Sequence, residues 1–238
     1  MSTKKSAKTL LNAKDLNLLA EGEKVVGTVG LKHALQYIKT NFVTQDEFNY
    51  KPIVISAFTN NRNTVEMGTK ITDVTLNWTL SKNPKTMMID NESITPLSTR
   101  TKTYSGQNII TNKTYTLKVT DEKDASATKT TSITFYNGVY WGAKAAPSSY
   151  DSAFILTLTK GLQGNKNKTF TATAGADEYL YYALPTRYGA VTFNVGGFDG
   201  GFTKVATIEF TNASGYKENY DIYKSDNANL GSQTVICK

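Results

Sequence analysis

The feature that most constrains the fold of this chain is a series of short runs, from Pro52 onward, in which apolar residues alternate with Thr, Ser or Lys. In one run, DVTLNWTL, the apolar residues all fall on one side of an extended chain, namely Val74, Leu76, Trp78 and Leu80. Turn-forming clusters such as NNRN and SKNPK separate the runs at intervals of about ten residues. This alternation predicts half-buried antiparallel strands, one of which carries a buried Trp78.

Two β domains follow from the spacing of these runs. Residues 50–137 hold about six or seven of them, which predicts an immunoglobulin-like β-sandwich, free of disulfides because the chain has a single cysteine. Gly138, Gly142 and Pro147 interrupt the pattern, and further strand-like runs predict a second β-sandwich-type domain over residues 138–238. Within it, SSYDSAFILTLTKGLQ fits either a short helix or a strand leading to a turn.

Residues 1–49 are the only part of the chain with helical character. In GLKHALQYIKTNF, apolar residues at spacings of four, three and four predict a helix near residues 30–42. The leucines that precede it favour either a segment that becomes ordered against another surface or a short helix packed on its own domain. The basic N-terminus has no continuous hydrophobic stretch of the kind a signal peptide needs, so we expect folding in a cytoplasm. The predicted fold class is therefore mainly β, preceded by a short N-terminal segment with one helix.

The segment GGFDGG, with glycines at 196, 197, 200 and 201, has the composition of a phosphate-binding loop. Such a loop requires a helix after it, because the helix N-terminus supplies the amides and the dipole that hold the anion. Here the strand-like run FTKVATIEF follows, and the spacing matches neither of the common nucleotide-binding patterns. We therefore predict turns between strands and no bound nucleotide.

The C-terminal part is rich in tyrosine, and two interpretations remain open for these side chains. In EYLYYALP, Tyr179 and Tyr181 alternate with Leu180 and Tyr182, so both faces of the strand are apolar or aromatic. That pattern favours a strand between two layers or at a subunit interface. The alternative is a cluster of exposed tyrosines that binds sugar or protein.

No residue is predicted to be catalytic, to bind a cofactor or to ligate a metal. Cys237 and His33 are the only members of their types, and acidic groups such as Asp121, Glu122 and Asp124 fall in a predicted turn. The net charge of +7 comes from lysines spread along the whole chain. Neither of the denser lysine groups, around residues 4–8 and 160–168, is interleaved with aromatic residues, so we predict no specific nucleic-acid binding. No apolar run approaches the roughly 18 to 20 residues that a membrane helix needs, so we predict no membrane partner.

Several longer stretches resemble structural proteins of tailed bacteriophages. They are FTNNRNTVEMGTKITDVTLNWTLSKNPKTMMID, TYTLKVTDEKDASATKTTSITFYNGVYWG, YDSAFILTLTKGLQ, AGADEYLYYALPTRYGAVTFNVGGFDGGF and FTNASGYKENYDIYKSDNANLG. They cover roughly residues 50–235 and are similar to head-fibre-like or tail-associated fibre and appendage proteins of phages that infect gut and lactic bacteria. The Gly- and Tyr-rich segment is the most specific part of this resemblance.

The resemblance implies a non-enzymatic virion structural protein, assembled in the host cytoplasm, that needs no cofactor. Residues 1–49 would dock to capsid, neck or connector proteins, and the two β domains would project outward. A capsid-attached head fibre is expected, with a neck or tail appendage or a host-surface polysaccharide-binding adhesin as alternatives. The chain is expected to associate with itself, as a trimer or alternatively a dimer, and bacterial surface glycan is a further expected partner.

Overall fold

The computed structural model describes residues 5–6, 42–43 and 45–238, and the chain divides into two compact units, Met1–Ile53 and Val54–Lys238. In the first unit, β1 (Lys5–Ser6) pairs in parallel with β2 (Phe42–Val43), and α1 spans Gln45–Asn49. The helix predicted near residues 30–42 lies outside the described residues, except for its last position, which belongs to β2.

The second unit begins with two sheets that form an immunoglobulin-like sandwich. One sheet has three strands in the order β3 (Ile55–Asn60), β5 (Val74–Leu80) and β8 (Thr101–Tyr104). The facing strands run in the order β4 (Thr64–Glu66), β10 (Ser126–Ala145), β9 (Lys113–Thr120), β6 (Thr86–Ile89) and β7 (Glu92–Ser93). Because β4 pairs in parallel with β10, the chain changes sheets between β3 and β4.

Strand β5 has the alternation that its sequence predicts. Val74, Leu76 and Trp78 are at most 3% exposed, whereas Asn77 and Thr79 face solvent. The Trp78 ring packs edge-on against Phe58 of β3, with ring centroids 6.5 Å apart. The predicted half-buried strand with a buried tryptophan is confirmed.

Strand β10 is twenty residues long and belongs to both halves of the second unit. The first half is the immunoglobulin-like sandwich just described, and the second half is formed by the elements that follow β10. Its first part pairs with β9, and its last part pairs with β13 (Glu178–Pro185). The expected interruption at Gly138 and Gly142 is wrong, because both glycines lie inside this strand. At Gly138 a Cβ would come within 2.7 Å of the Tyr140 ring, so the missing side chain makes room for an aromatic neighbour. The predicted domain boundary, between 137 and 138, falls within β10.

The second half contains the remaining eight strands in two sheets. Four continue the sheet of β10, with β11 on one side of it and β13, β17 and β16 on the other. The other four form a separate sheet in the order β12, β18, β14, β15. Their bounds are β11 Thr159–Gln163, β12 Lys168–Ala174, β14 Phe193–Val195, β15 Phe198–Asp199, β16 Phe202–Thr211, β17 Lys217–Ser225 and β18 Gly231–Cys237.

Strand β13 lies in the middle of three layers in this half. Its Leu180 and Tyr182 pack into a core shared with the separate four-stranded sheet. Tyr181 packs into a second core on the opposite face, which α2 (Ser152–Leu156) covers through Ile155. The prediction of a strand between two layers is confirmed, and the ambiguous SSYDSAFILTLTKGLQ forms both a short helix and, in β11, a strand. The mainly β fold class is likewise confirmed.

Candidate functional site

The Gly-rich segment forms a hairpin followed by a second turn. Gly196 and Gly197 connect β14 to β15 with φ values of 56° and 96°, and positive φ at both positions defines the tight turn that suits a two-residue hairpin. Gly200 and Gly201, with φ of 103° and 79°, lead directly into β16. Because a strand follows, there is no helix N-terminus here to hold a phosphate, and the predicted turns are confirmed.

Phe198 is the most exposed large apolar side chain of the described residues, at 81%. It is the cross-strand partner of Val195, which packs against the neighbouring core. On the other face of the hairpin, the Asn194 amide donates a 2.7 Å hydrogen bond to the Asp199 carboxylate. A cavity of about 550 Å³ lies beside this hairpin, with Asn194, Asp199, Phe202 and Lys238 among its lining residues. The hairpin thus presents an exposed aromatic ring on one face, while Asn194 and Asp199 contribute polar groups to a cavity of mixed polar and apolar lining.

The tyrosines of the C-terminal half are mostly core residues. Seven tyrosines lie between residues 179 and 223. Four of them are buried, namely Tyr181, Tyr182, Tyr220 and Tyr223, and the other three are half-buried. Burial raises the pKa of the Tyr182 and Tyr220 hydroxyls well above the ordinary value. The Tyr220 hydroxyl donates a 2.7 Å hydrogen bond to the carbonyl oxygen of Gly138. The interpretation as core is confirmed for these four side chains, and an exposed tyrosine cluster is absent from this half.

Cys237 lies in the core beneath β18 and is 1% exposed. Burial raises the pKa of its thiol to about 12, so at neutral pH the thiolate that acts as a nucleophile is almost unpopulated. The side chain therefore packs as a small apolar group. His33 lies outside the described residues.

The acidic groups singled out in the sequence stabilise turns. The buried Asp121 carboxylate accepts hydrogen bonds from the main-chain N–H groups of Lys123 and Ala125, at 3.0 and 3.1 Å. Lys82 forms ion pairs with Asp121 at 3.0 Å and with Glu122 at 2.9 Å. These contacts hold the turn between β9 and β10, as the sequence predicts. No three side chains of His, Cys, Asp or Glu come together as metal ligands within the described residues.

The lysines of the group at residues 160–168 are engaged within the chain. Lys160 pairs with Glu66 at 2.8 Å, and the Lys166 ammonium donates a hydrogen bond to the carbonyl oxygen of Ala190. The Lys168 ammonium lies over the Trp141 ring, 4.1 Å from its centroid. The charged groups of these three lysines therefore contact other groups of the same chain. The basic group at residues 4–8 lies outside the described side chains.

A groove of about 410 Å³, the junction groove, lies where the two halves of the second unit meet. It is lined by side chains that include Met67, Phe135, Tyr136, Arg187 and Tyr188. Next to it, the Arg187 guanidinium and the side-chain amide of the buried Asn137 both contact Glu218. Small-ligand sites are typically lined by aromatic rings beside a few placed polar groups, and this groove shares that composition. Local sequence patterns did not predict it, because its residues come from distant segments of the chain.

Comparisons with known proteins give no family assignment. Neither a protein-family model nor a curated protein matches the chain. Among solved structures, the chain is similar to Rst D1-D2, with a TM-score of 0.28 and 8% identity over 79% of this chain and 84% of that one. It is also similar to titin A168169, with a TM-score of 0.25 and 8% identity over 79% and 92% of the two chains.

A chitinase from Bacillus thuringiensis is a further similar structure, with a TM-score of 0.25 and 11% identity over 87% of this chain and 30% of that one. TM-scores this low say nothing about what this chain does. The fold class rests instead on the strand pairing of residues 54–238. No helix among the described residues combines the length and apolar character needed to cross a bilayer.

Proposed function

We propose that this chain is a non-enzymatic structural protein of a bacteriophage virion, as a capsid-attached head fibre or a similar appendage. Residues 1–49 dock it to capsid or connector proteins, and residues 54–238 project outward. A position on the neck or tail is the alternative within the same proposal. The sequence resemblance to phage fibre and appendage proteins motivates this assignment.

The structural observation that supports it most is the continuity of β10. A projecting appendage has to keep its parts aligned, and flexible linkers between domains allow relative motion by default. Here one strand of twenty residues, Ser126–Ala145, belongs to both halves of the second unit, so no linker separates them. Among the side chains considered as catalytic candidates, Asp121 and Glu122 are engaged in a turn and Cys237 lies in the core, which agrees with a structural role.

Immuno-electron microscopy tests the proposal. Antibody raised against residues 54–238 should label particles released from cells whose phage carries this gene. Label over the capsid supports the head fibre, and label at the neck or tail selects the alternative position. Particles that remain unlabelled while the lysate contains the protein would contradict a virion role. A chain of residues 50–238 should fold but fail to join the particles; incorporation at normal levels would exclude docking through residues 1–49.

A second candidate function is binding of bacterial surface polysaccharide, and the exposed Phe198 favours it. The face of an aromatic ring carries partial negative charge and packs well on the C–H face of a sugar, while nearby polar groups can bond its hydroxyls. With four of the seven tyrosines buried, Phe198 and the junction groove offer the better contacts. Phe198→Ala should weaken retention on immobilised host polysaccharide at least several-fold, whereas Ile110→Ala, also at an exposed apolar residue, should not. Equal retention of both variants would remove this candidate site.

A further inference from the structure

Strands at the edges of sheets carry unpaired main-chain groups, and most edges of the described sheets are protected against pairing with another chain. β7 and β15 have two residues each. β16 has an irregular register between Lys204 and Ala206 and carries the charge of Lys204. β3 has a similar shift between Ile55 and Ala57. Short length, bulges and charge all reduce the chance that a second strand adds to these edges.

Strand β12 (Lys168–Ala174) has none of these protections beyond its first residue. Its seven residues pair with β18 in unbroken register, and after Lys168 its sequence, TFTATA, has no charge, proline or glycine. Within residues 45–238, no strand pairs with its second edge. Thr169, Thr171 and Thr173 are exposed on its outer face. A straight, uncharged edge of this length is suited to accepting another strand.

We propose that β12 is a homodimer interface, in which it pairs antiparallel with β12 of a second copy of this chain about a two-fold axis at Thr171. The two four-stranded sheets would then join into one sheet of eight strands. This inference does not depend on the proposed virion role. It predicts an even-numbered assembly, in contrast to the trimer expected from the resemblance.

The sequence of β12 is complementary to itself around Thr171. In this register Thr169 lies opposite Thr173 of the second copy, and Phe170 lies opposite Ala172. Residues at equal distance from the axis share a face of the sheet, so threonines meet threonines outside and apolar side chains meet inside. Lys168 lies opposite Ala174, so no two like charges face each other.

Side chains next to the edge are consistent with burial by a second copy. Ala172 is only half-buried although it packs on the core, and so is Trp141, whose ring centroid lies 6.1 Å from that of Phe170. On the outer face, the hydroxyls of Thr171 and Thr234 are 3.1 Å apart, so one hydroxyl contact already crosses from β18 to β12. Pairing of two β12 strands would place further threonines beside this contact and would cover Ala172 and Trp141.

Substitutions that place a positive or a negative charge at residue 171, on the proposed two-fold axis, provide the test. Each variant is made in the full chain. Light scattering should give twice the 26.1 kDa chain mass for the unaltered protein. Thr171→Lys and Thr171→Glu should each be monomeric, because residues opposite each other in a ladder are about 5 Å apart and like charges there repel. An equimolar mixture of the two variants should return to the dimer mass, which also shows that both are folded.

Thr234→Lys is the matched control, since Thr234 is exposed on the same face but on the neighbouring strand. In the proposed dimer the two copies of residue 234 are separated by three strand spacings, about 14 Å. That distance exceeds the screening length of about 8 Å at physiological ionic strength, so the control should remain dimeric. As a second measurement, oxidation should crosslink Thr171→Cys but not Thr234→Cys, because only the first has its symmetry mate at about 5 Å.

Each outcome decides the proposal. A dimer that Thr171→Lys dissociates and the mixture restores supports it, as does selective crosslinking at residue 171. A monomer at about 100 μM, a concentration at which a dissociation constant of about 10 μM would leave most chains in dimers, overturns it. A trimer, or a dimer that survives both charged variants at residue 171, also overturns it, because neither is compatible with a two-fold axis at that residue.

Discussion

The side-chain amide of Asn212 donates a 2.8 Å hydrogen bond to the main-chain carbonyl oxygen of Met67, so a turn of the second half of the unit is tied to the first. The oxygen of the same amide accepts hydrogen bonds from the N–H groups of Ser214 and Tyr216, both at 2.9 Å. Asn212 is 7% exposed. One side chain therefore shapes the turn between β16 and β17 and fixes it to the segment after β4.

Replacing Asn212 by alanine should lower the free energy of unfolding by about 2 kcal/mol, because the change leaves partly buried main-chain donors and an acceptor without partners. Urea unfolding followed by tryptophan fluorescence measures this. Asn194→Ala is the control, since its amide bonds Asp199 within an exposed hairpin, and it should cost no more than about 0.5 kcal/mol. Equal losses for the two variants would mean that the contact with Met67 contributes little.

Two glycines with nearly the same φ angle should respond differently to alanine. Gly68 has φ of 87°, and a Cβ there would lie 2.5 Å from the Cβ of Tyr216; Gly215 has φ of 80° and open space around its Cβ position. Gly68→Ala should cost about 3 kcal/mol, from strain and overlap together. Gly215→Ala should cost about 1 kcal/mol, from strain alone. Thermal or urea denaturation measures both, and similar losses would contradict close packing at Gly68.

The thiol of Cys237 should resist chemical modification in the native protein. With a pKa raised to about 12 by burial, about one thiol in ten thousand is ionised at pH 8. Labelling with a chromogenic disulfide reagent should therefore be slow at pH 8 and become fast in denaturant, where the thiol has an ordinary pKa. Rapid labelling of the native chain would mean that β18 opens readily or does not cover the thiol.

Stability should decline in alkaline solution because of the buried tyrosines. Burial raises the pKa of Tyr181, Tyr182 and Tyr220 in the native state, whereas in the unfolded chain they titrate near pH 10. Above about pH 10 the unfolded chain binds fewer protons than the native one, so the free energy of unfolding falls as the pH rises, while below about pH 9 this contribution is complete. Urea midpoints between pH 8 and 11.5 measure the slope.

A control for this pH dependence is Tyr182→Phe, which removes one of the buried hydroxyls. The urea midpoint of this variant should be lower at pH 8, because the Tyr182 hydroxyl donates a 2.7 Å hydrogen bond to the carbonyl oxygen of Lys166. The midpoint should then decline less steeply as the pH rises. If the midpoint of the variant falls with pH as steeply as that of the unaltered protein, the loss of stability at alkaline pH comes from other groups, such as the lysines that form ion pairs.

Periodicity predicted the strands well where one face of a strand is buried. In β5, Trp78 and its alternate neighbours carry the signal, because each apolar residue fills one side of the pleat. The layers around β13 could also be predicted, since Tyr181 and Leu180 make both of its faces apolar. The turns in GGFDGG could be predicted because a strand-like run, and not a helical one, follows that segment. In each case the deciding contacts are local or depend only on which face a residue occupies.

Features that depend on distant segments could not be predicted in this way. Gly138 suggested a break in the chain, because a glycine that leaves room for the ring of Tyr140 has the same sequence signal as one that ends a strand. The junction groove combines Met67 with Tyr188, which no local pattern relates. The second edge of β12, which is unpaired within residues 45–238, depends on strand order.

The shared strand β10 has a mechanical consequence. It pairs with eight residues of β9 and with six of β13, and the hydrogen bonds of such ladders lie perpendicular to the strand. Tension along β10 would therefore stretch the bonds of each ladder together, as in shear, instead of breaking them one after another from an end. The two halves of residues 54–238 should resist being pulled apart until a whole ladder ruptures at once.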